Sequence, residues 1–269
     1  MKLTPWLRTS ALVLAALPVF LVTGPHSNIS QVSEADAAPS AAPVAYHSAS
    51  PRTAAALPDV QGLSPKVLAM ALDAVSCAKA RGVSADRSGK DDLLTIIDYS
   101  LPSTEPRLWV LDLAHGKVLF HELVAHGAGS GDVYATRFSN TNDSRQTSLG
   151  LFRTAGTYEG GNGYSLTLQG LDAGINDRAE ARHIVMHGAW YVSPEHARQY
   201  GRLGRSWGCP ALSEKSAHRV IDTIKGGSYI FSYSADKAWT TTASHQSCPA
   251  LQGPSAPTAS GTTVTAASR

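Results

Sequence analysis

The sequence predicts a mainly β domain with peripheral helices, of the α+β class. Short runs rich in β-branched and aromatic residues recur between residues 93 and 234 and are typical of strands. Three segments carry helix start and stop signals, so the strand candidates outnumber the helices. Both ends of the chain differ in composition from this region, and the folded domain is therefore expected over residues 58–239.

The amino terminus has the layout of a secretory signal peptide over residues 1–24, with Lys2 and Arg8 ahead of an apolar run. That run is shorter than the ~20 residues that span a bilayer. A small-x-small tripeptide comes only at residues 35–37, so an uncleaved amino-terminal anchor stays open as an alternative. Either form predicts an exported protein of the periplasm or cell envelope, where disulfides persist.

The segments outside the domain are of low complexity. Residues 25–57 are rich in Ala, Ser and Pro and are interpreted as a linker, and residues 240–269 as a mostly disordered tail. The charges nearly balance, with 23 Lys and Arg against 21 Asp and Glu, and no basic stripe is interleaved with aromatic residues. Nucleic acid is therefore not an expected partner, and no cofactor is expected.

The first helix is predicted over residues 65–81, between a capping serine and a terminal glycine. One face of this helix carries Leu68, Leu72 and Val75. At 100° per residue, Cys77 is expected to point to the opposite side, toward solvent or another segment. Two shorter helices are predicted, one from Pro194 and one over residues 214–225.

The strand candidates follow one another along the domain. They are LLTIIDYS, RLWVLDL, KVLFHELVA, LGLFRT, YSLTLQGL, HIVMHG (residues 183–188) and SYIFSYS. The second and third flank Ala114-His115-Gly116, which indicates a hairpin turn.

The segment GRLGRSWGCPAL places Cys209 in a polar loop behind Arg202 and Arg205. A nearby cation stabilises a thiolate, which makes Cys209 a candidate nucleophile. Gly208 lets the backbone approach a substrate, and the amides of Trp207, Gly208 and Cys209 are predicted to donate to a developing oxyanion. At this point a buried, inert cysteine or a half-cystine stays open as an alternative.

His187 ends an apolar strand 22 positions before Cys209 and is the candidate general base. A structural histidine is the alternative. His183 lies four positions earlier, and on a strand that spacing corresponds to about 13 Å, too far for two ligands of one metal. No metal site is expected.

The ordered motifs of the domain resemble one known family. Between about Leu93 and Tyr233 they are FSN, SLGLFRT, TYEGGNGYSL, GLDAGINDRA, IVMHGAWYV and GRLGRSWGCPAL. The chain is similar to the L,D-transpeptidase (YkuD-like) superfamily, in the branch of murein L,D-transpeptidase catalytic domains. His187-Gly188 matches the first part of the superfamily pattern. Residues 206–209 match the second part, with Trp207 in place of its usual histidine.

The resemblance implies a β-rich catalytic domain and an enzyme of peptidoglycan synthesis. Cys209 would attack the carbonyl at the L-centre of the third, diamino residue of a stem peptide, with His187 as base and then acid. The thioester would pass to an amine of another stem. Tyr158, Tyr164, Ser165 and Arg205 are weaker candidates for lining the substrate groove.

The resemblance also bears on the odd number of cysteines. Oxidation pairs only two of Cys77, Cys209 and Cys248, which leaves one thiol over. If Cys209 is the free nucleophile, a disulfide between Cys77 and Cys248 is expected.

Two other functions stay open. An L,D-carboxypeptidase or endopeptidase would use the same Cys–His pair with water in place of the acceptor amine. A non-catalytic wall-binding module would use Trp190, Trp207 and the tyrosines as a binding surface.

Overall fold

The structure is a computed structural model, and it describes residues 60–83, 90–236 and 239. The predicted signal peptide or anchor, the linker and the tail lie outside these residues. Among the described helices, none combines the length and the apolar composition needed to cross a membrane.

The described chain forms nine strands and three α-helices, which confirms the predicted mainly β architecture with peripheral helices. The helices are α1 (Pro65–Ala80), α2 (Pro194–Tyr200) and α3 (Glu214–Ile224), with a 3-10 turn at Lys90–Asp92. The strands are β1 (Leu93–Asp98), β2 (Leu108–Asp112), β3 (Lys117–Glu122), β4 (Val124–Ala125), β5 (Gly150–Gly160), β6 (Gly163–Gly170), β7 (Val185–Ala189), β8 (Ala211–Ser213) and β9 (Tyr229–Tyr233).

The strands form one sheet in the order β3-β2-β1-β9-β5-β6-β7-β8-β4. The pairs β1–β9 and β7–β8 are parallel and the other neighbours are antiparallel. β9 lies inside the sheet between β1 and β5, with all five residues buried, which explains its continuous apolar run. The predicted β2–β3 hairpin around residues 114–116 is present.

Several elements differ from the sequence-based prediction, among them the predicted strand KVLFHELVA, which forms two strands, β3 and β4, at opposite edges of the sheet. β5 continues beyond residue 154 to Gly160 because its end pairs with the start of β6. β7 begins at Val185 and not at residue 183, since His183 takes a left-handed backbone conformation with φ 53°. β8 has only three residues, too few to show a period-2 pattern.

Helix α1 packs on the sheet through a different face from the one predicted. Cys77 is buried with 1% exposure, whereas Leu68 and Leu72 are only partly buried. Cys77 is disulfide-bonded and so faces another segment, which is one of the two environments predicted for it, while the core face of α1 is centred on small residues. These residues are Ala71, Ala74 and Ala78.

The states of two cysteines agree with what the resemblance implied. Cys77 is disulfide-bonded and Cys209 is free. The pairing of Cys77 with Cys248 falls outside the described residues and stays a prediction.

Helix α3 supports the strand that carries His187. A Cβ atom on Gly188 would lie 3.1 Å from the Cβ of Ala217, so strand and helix are in close contact. Ser213 caps α3 by accepting a hydrogen bond from the amide of Lys215 at 3.3 Å. β7 is therefore held between β6, β8 and the first turns of α3.

Candidate active site

The Cys209 thiol lies beside the start of β7. It is free, and the residue has only 8% exposure. Sγ accepts a hydrogen bond from the amide of Val185 at 3.5 Å and donates one to the carbonyl of His183 at 3.6 Å. The free state of Cys209 excludes the half-cystine alternative, and the contact with Val185 places the sulfur next to a backbone donor that stabilises a thiolate.

Gly208 gives the cysteine loop its shape. Its φ is +126°, a conformation that favours glycine, and an added Cβ would lie 2.9 Å from the carbonyl oxygen of Gln146. Thr147 donates from Oγ1 to the carbonyl of Gly208 at 3.3 Å. The cysteine loop is therefore seated against the segment of residues 139–148, which is called the 139–148 loop below.

The predicted oxyanion donors are not equivalent. The amide of Gly208 already donates to Ser206 Oγ at 3.1 Å, and the Ser206 hydroxyl donates to the carbonyl of Cys209 at 2.6 Å. Within the described part of the chain, the amide of Trp207 has no acceptor, whereas the amide of Cys209 bonds to its own thiol sulfur. Of the three predicted donors, Trp207 is thus the one whose amide has no acceptor in the resting site.

His187 is oriented by a backbone carbonyl. Its Nδ1 lies 2.8 Å from the carbonyl oxygen of Gly188. A carbonyl only accepts, so Nδ1 carries the proton in the neutral ring and Nε2 keeps its lone pair. His187 stands in register with Ser165 of β6 and Ala211 of β8, which fix the strand beneath it.

The candidate base lies on β7 and the candidate nucleophile contacts the start of β7, but the two side chains are not hydrogen-bonded to each other. The sulfur of Cys209 contacts the amide of Val185, and His187 lies two residues further along the same strand. Residues i and i+2 of a strand are about 6.6 Å apart along the strand, so the sulfur lies about one such step from His187. The thiol proton points to the carbonyl of His183 in this conformation.

The charge states of the pair follow from burial. Burial raises the pKa of the Cys209 thiol, opposed by the Val185 amide and the charge of Arg182. Burial also lowers the pKa of His187, opposed by its hydrogen bond to Gly188. The resting pair is therefore a neutral thiol and a neutral imidazole at neutral pH, and not a thiolate–imidazolium ion pair.

Sequence reasoning missed Arg182, which precedes His183 and lies near the sulfur. Its guanidinium donates to four oxygens of the 139–148 loop, at distances from 2.5 to 3.1 Å. These acceptors are the carbonyls of Ser139 and Gln146 and the hydroxyls of Ser144 and Ser148. No sequence motif marks Arg182, because its role depends on where the loop returns in space.

Two tyrosines near the thiol were also missed. Burial, and to a lesser degree the negative charge of a Cys209 thiolate, raises the pKa of Tyr191 to about 12. The same two causes raise the pKa of Tyr99, and the charge of Arg107 opposes them. Both residues therefore lie within electrostatic reach of Cys209, and both stay protonated at neutral pH.

Arg202 and Arg205 bind a carboxylate of the protein itself. Arg202 Nε lies 2.6 Å from Asp132 Oδ1, and Arg205 Nη1 lies 3.5 Å from the same oxygen. Arg205 also donates to the carbonyl of Gly131 at 2.9 Å. The predicted role of Arg205 in binding substrate stays a prediction, with its charge already shared with Asp132.

The other predicted groove residues divide between two faces of the sheet. Ser165 is buried opposite His187 and donates to the carbonyl of Gly163 at 2.9 Å. Tyr164 lies on the α3 side, where its hydroxyl donates to Asp222 at 2.7 Å. Tyr158 is half exposed on β5. The structure thus brings Ser165, but not Tyr164, to the His187 face.

His183 and His187 do not lie on one strand as the sequence predicted, because β7 begins at Val185. His183 is in a left-handed turn, and its neighbour in space is the thiol of Cys209. In residues 60–83, 90–236 and 239, no group of three His, Cys, Asp or Glu side chains is arranged to hold a metal ion.

The fold and the site together define a β-rich domain with a free, buried cysteine beside a carbonyl-oriented histidine. The family model for the L,D-transpeptidase catalytic domain matches residues 59–233, more than half of the chain. The chain belongs to this family. No curated protein is significantly similar to it in sequence.

L,D-transpeptidases are among the solved structures that match this chain, at low sequence identity. An L,D-transpeptidase from Mycobacterium smegmatis is 15% identical, with 53% of this chain and 58% of that chain covered and a TM-score of 0.32. One from Stackebrandtia nassauensis is 16% identical, with 61% and 66% covered and a TM-score of 0.33. The match thus spans less than two thirds of these structures.

Proposed function

We propose that the protein is a cysteine acyltransferase that acts on peptidoglycan stem peptides through a thioester on Cys209. The observation that carries the proposal is the orientation of His187: its Nδ1 bonds to the carbonyl of Gly188 at 2.8 Å, which leaves Nε2 as a base. This base shares a strand with the residue whose amide contacts the only free thiol of the described chain.

In the proposed first step, the Cys209 sulfur attacks the carbonyl carbon at the L-centre of the third residue of the stem. The thiol proton passes to Nε2 of His187, after the thiol turns away from the carbonyl of His183. Hydrogen bonds at catalytic sites are often long before substrate binds, and the missing Cys209–His187 bond is compatible with this role. The oxyanion forms beside the amides of Trp207 and Cys209.

In the second step, the tetrahedral intermediate collapses and expels the amine of the terminal D-alanine, which takes the proton from His187. An amine of another stem then attacks the thioester and gives up a proton to His187. The second tetrahedral intermediate collapses, and the Cys209 thiolate leaves and takes that proton from His187. The product is a peptide bond between two third-position residues, and the enzyme returns to its resting state.

The same assignment places the protein in the cell envelope. Peptidoglycan lies outside the cytoplasmic membrane, so the enzyme has to be exported to meet its substrate. The predicted signal peptide or anchor over residues 1–24 supports this location. The disulfide of Cys77 supports it as well, since disulfides persist in oxidising compartments.

The test is mass spectrometry of the intact protein after incubation with a carbapenem, which the resemblance implies as an acylating agent. A single adduct on Cys209 is expected, and none in a Cys209→Ala variant. A folded protein that stays unmodified would refute the nucleophilic role. A His187→Gln variant is expected to be acylated at least about a hundredfold more slowly, the typical loss on removing a general base.

The products of stem-peptide turnover distinguish the possible acceptors. Crosslinked dimers support the transferase. Shortened stems without crosslinks would assign the protein as a carboxypeptidase that uses the same residues.

A further inference from the structure

We infer that Asp143 and Arg145 form a specificity pocket for the side chain of the donor's third residue. The ligand class is a diamino-dicarboxylic acid, whose side chain ends in an ammonium and a carboxylate on one carbon. This inference rests on the proposed function and adds residues that no family motif assigns. Its basis is a cavity next to the cysteine loop.

The cavity has a volume of about 260 Å³ and is lined by Asp143, Arg145, Arg182 and Trp207. Trp207 is two residues from Cys209 and is 74% exposed. The guanidinium carbon of Arg145 lies 4.7 Å from the centroid of the Trp207 ring. The cavity therefore borders the cysteine loop at Trp207, the position where the L,D-transpeptidase superfamily pattern has a histidine.

Arg145 has an unused charge at this site. Its guanidinium lies over the Trp207 ring in a cation–π contact, and within the part of the chain that the structure describes its side chain has no ion pair or hydrogen bond. Arg205 differs, since its guanidinium already forms an ion pair with Asp132 and a hydrogen bond to the carbonyl of Gly131. Stacked guanidinium groups suit planar carboxylates because they keep their donors in one plane.

Asp143 supplies the opposite charge two residues away. No side chain among the described residues pairs with its carboxylate. Arg182 also lines the cavity, but its guanidinium is held by neutral oxygens of the 139–148 loop. The free groups are thus one carboxylate and one guanidinium, which complement an ammonium and a carboxylate on the same ligand carbon.

The backbone of the pocket is strained and held in place. Among the described residues, the non-glycine positions with positive φ are Asp143 at 57°, Arg145 at 53° and His183 at 53°. Such conformations persist where the surroundings enforce them, and they cluster at binding and catalytic sites. Here Arg182 enforces them, because its hydrogen bonds tie residues 139, 144, 146 and 148 together.

The pocket gives the enzyme a means of selecting its donor. A stem with meso-diaminopimelate in position three presents both charges, whereas a stem with lysine presents only the ammonium. Arg145 then binds the side-chain carboxylate and Asp143 the side-chain ammonium. With the side chain anchored, the L-centre carbonyl is held over Cys209.

The test measures peptide binding by calorimetry on a Cys209→Ala background, where no reaction takes place. The probes are the tetrapeptide L-Ala-γ-D-Glu-meso-diaminopimelate-D-Ala, its lysine analogue, and the first peptide with an amidated carboxyl terminus. Arg145→Gln is expected to weaken binding of the first peptide about tenfold or more, the effect of losing one charged hydrogen bond. The matched control is Arg198→Gln, an exposed arginine of α2.

The lysine analogue is expected to bind about as weakly as the first peptide binds the Arg145→Gln variant, and to be insensitive to that substitution. Amidating the carboxyl terminus is expected to leave the effect of Arg145→Gln unchanged. If amidation abolishes the effect, Arg145 binds the terminal carboxylate and the inference is overturned. The inference would also be overturned if Arg145→Gln lowered the affinity for the lysine peptide and for the diaminopimelate peptide by the same factor.

Failure of the inference is distinguishable from failure of the proposed function. If a carbapenem acylates Cys209 and stem peptides turn over, but Arg145→Gln changes neither binding nor selectivity, only the pocket assignment is lost. If Cys209 is never acylated, the proposed function itself fails. Asp143→Asn provides a second variant, with the expectation that both the diaminopimelate and the lysine peptides bind more weakly.

Discussion

The imidazole of His187 is oriented by the carbonyl of the next residue, Gly188, at 2.8 Å from Nδ1. A backbone carbonyl cannot take up the proton that this nitrogen carries, so the ring is held in one tautomer. Unlike a carboxylate, it also adds no negative charge that would stabilise an imidazolium. His187 therefore keeps a lowered pKa, caused by its burial, and is neutral at neutral pH.

The pH dependence of acylation follows from this relationship. The reaction needs neutral His187, whose pKa lies below the ordinary value of 6.5. We expect kcat/KM for acylation to stay level through neutral pH and to fall only below pH 6.5. The measurement is the rate of carbapenem adduct formation across pH, by mass spectrometry.

The His187→Gln variant is the control for that profile. It is expected to lose the acidic limb and to react faster as pH rises through the raised pKa of the thiol. An acidic limb centred well above pH 6.5 in the wild-type protein would contradict the assignment of a neutral imidazole.

Removing Arg182 is expected to affect both the thiol and its neighbouring loop. Arg182 lowers the pKa of Cys209 through its charge and makes four hydrogen bonds to the 139–148 loop. We expect Arg182→Gln to move the pH midpoint of Cys209 alkylation by iodoacetamide upward, and the loop to become more susceptible to proteolysis. Arg198→Gln is the matched control, and an unchanged midpoint in Arg182→Gln would contradict the electrostatic role.

A methyl group on Gly208 is expected to disrupt the cysteine loop. Its φ of +126° is strained for other residues, and the added Cβ would meet the Gln146 carbonyl at 2.9 Å and Ile184 at 3.0 Å. Strain of this kind costs about 1–3 kcal/mol, so Gly208→Ala should lower the free energy of unfolding by that amount and slow acylation. Urea unfolding measures the first effect.

Gly156→Ala is the control for that substitution. No heavy atom lies within 4 Å of its added Cβ. Its effect on the free energy of unfolding is expected to stay within about 0.5 kcal/mol. If Gly208→Ala lowers the free energy of unfolding by no more than about 0.5 kcal/mol, the cysteine loop relaxes around the methyl group.

The stability of the domain is expected to fall in mild acid because of His126. This residue is buried beside Arg107, with 2.8 Å between its Nδ1 and Arg107 Nη2. Burial first, and then the charge of Arg107, lower the pKa of His126 from 6.5 to about 4. Between these values the unfolded chain binds a proton that the folded chain does not, so stability decreases as pH falls.

The full effect corresponds to about 3 kcal/mol of unfolding free energy between neutral pH and pH 4. Urea unfolding at several pH values measures it. A His126→Asn variant is expected to show a flatter dependence on pH, even where its stability at pH 7 is lower.

The elements predicted best from sequence are those with local signals. Ser193 and Pro194 start α2, and Ser213 starts α3, because capping depends on residues within one turn. The strand runs were located to within a few residues for the same reason. β8 was missed because its pairing with β7 depends on a segment more than 20 residues away in sequence.

The site shows the same division. Sequence alone determined that a cysteine in a glycine-shaped loop and a histidine at a strand end are present, since residue type and spacing define them. Only the tertiary structure decided that Gly188 orients His187, that Asp132 occupies Arg205, and that Arg145 stacks on Trp207. These contacts join segments that are far apart in the chain or depend on the exact turn of the backbone. Periodicity and local propensity carry no information about either.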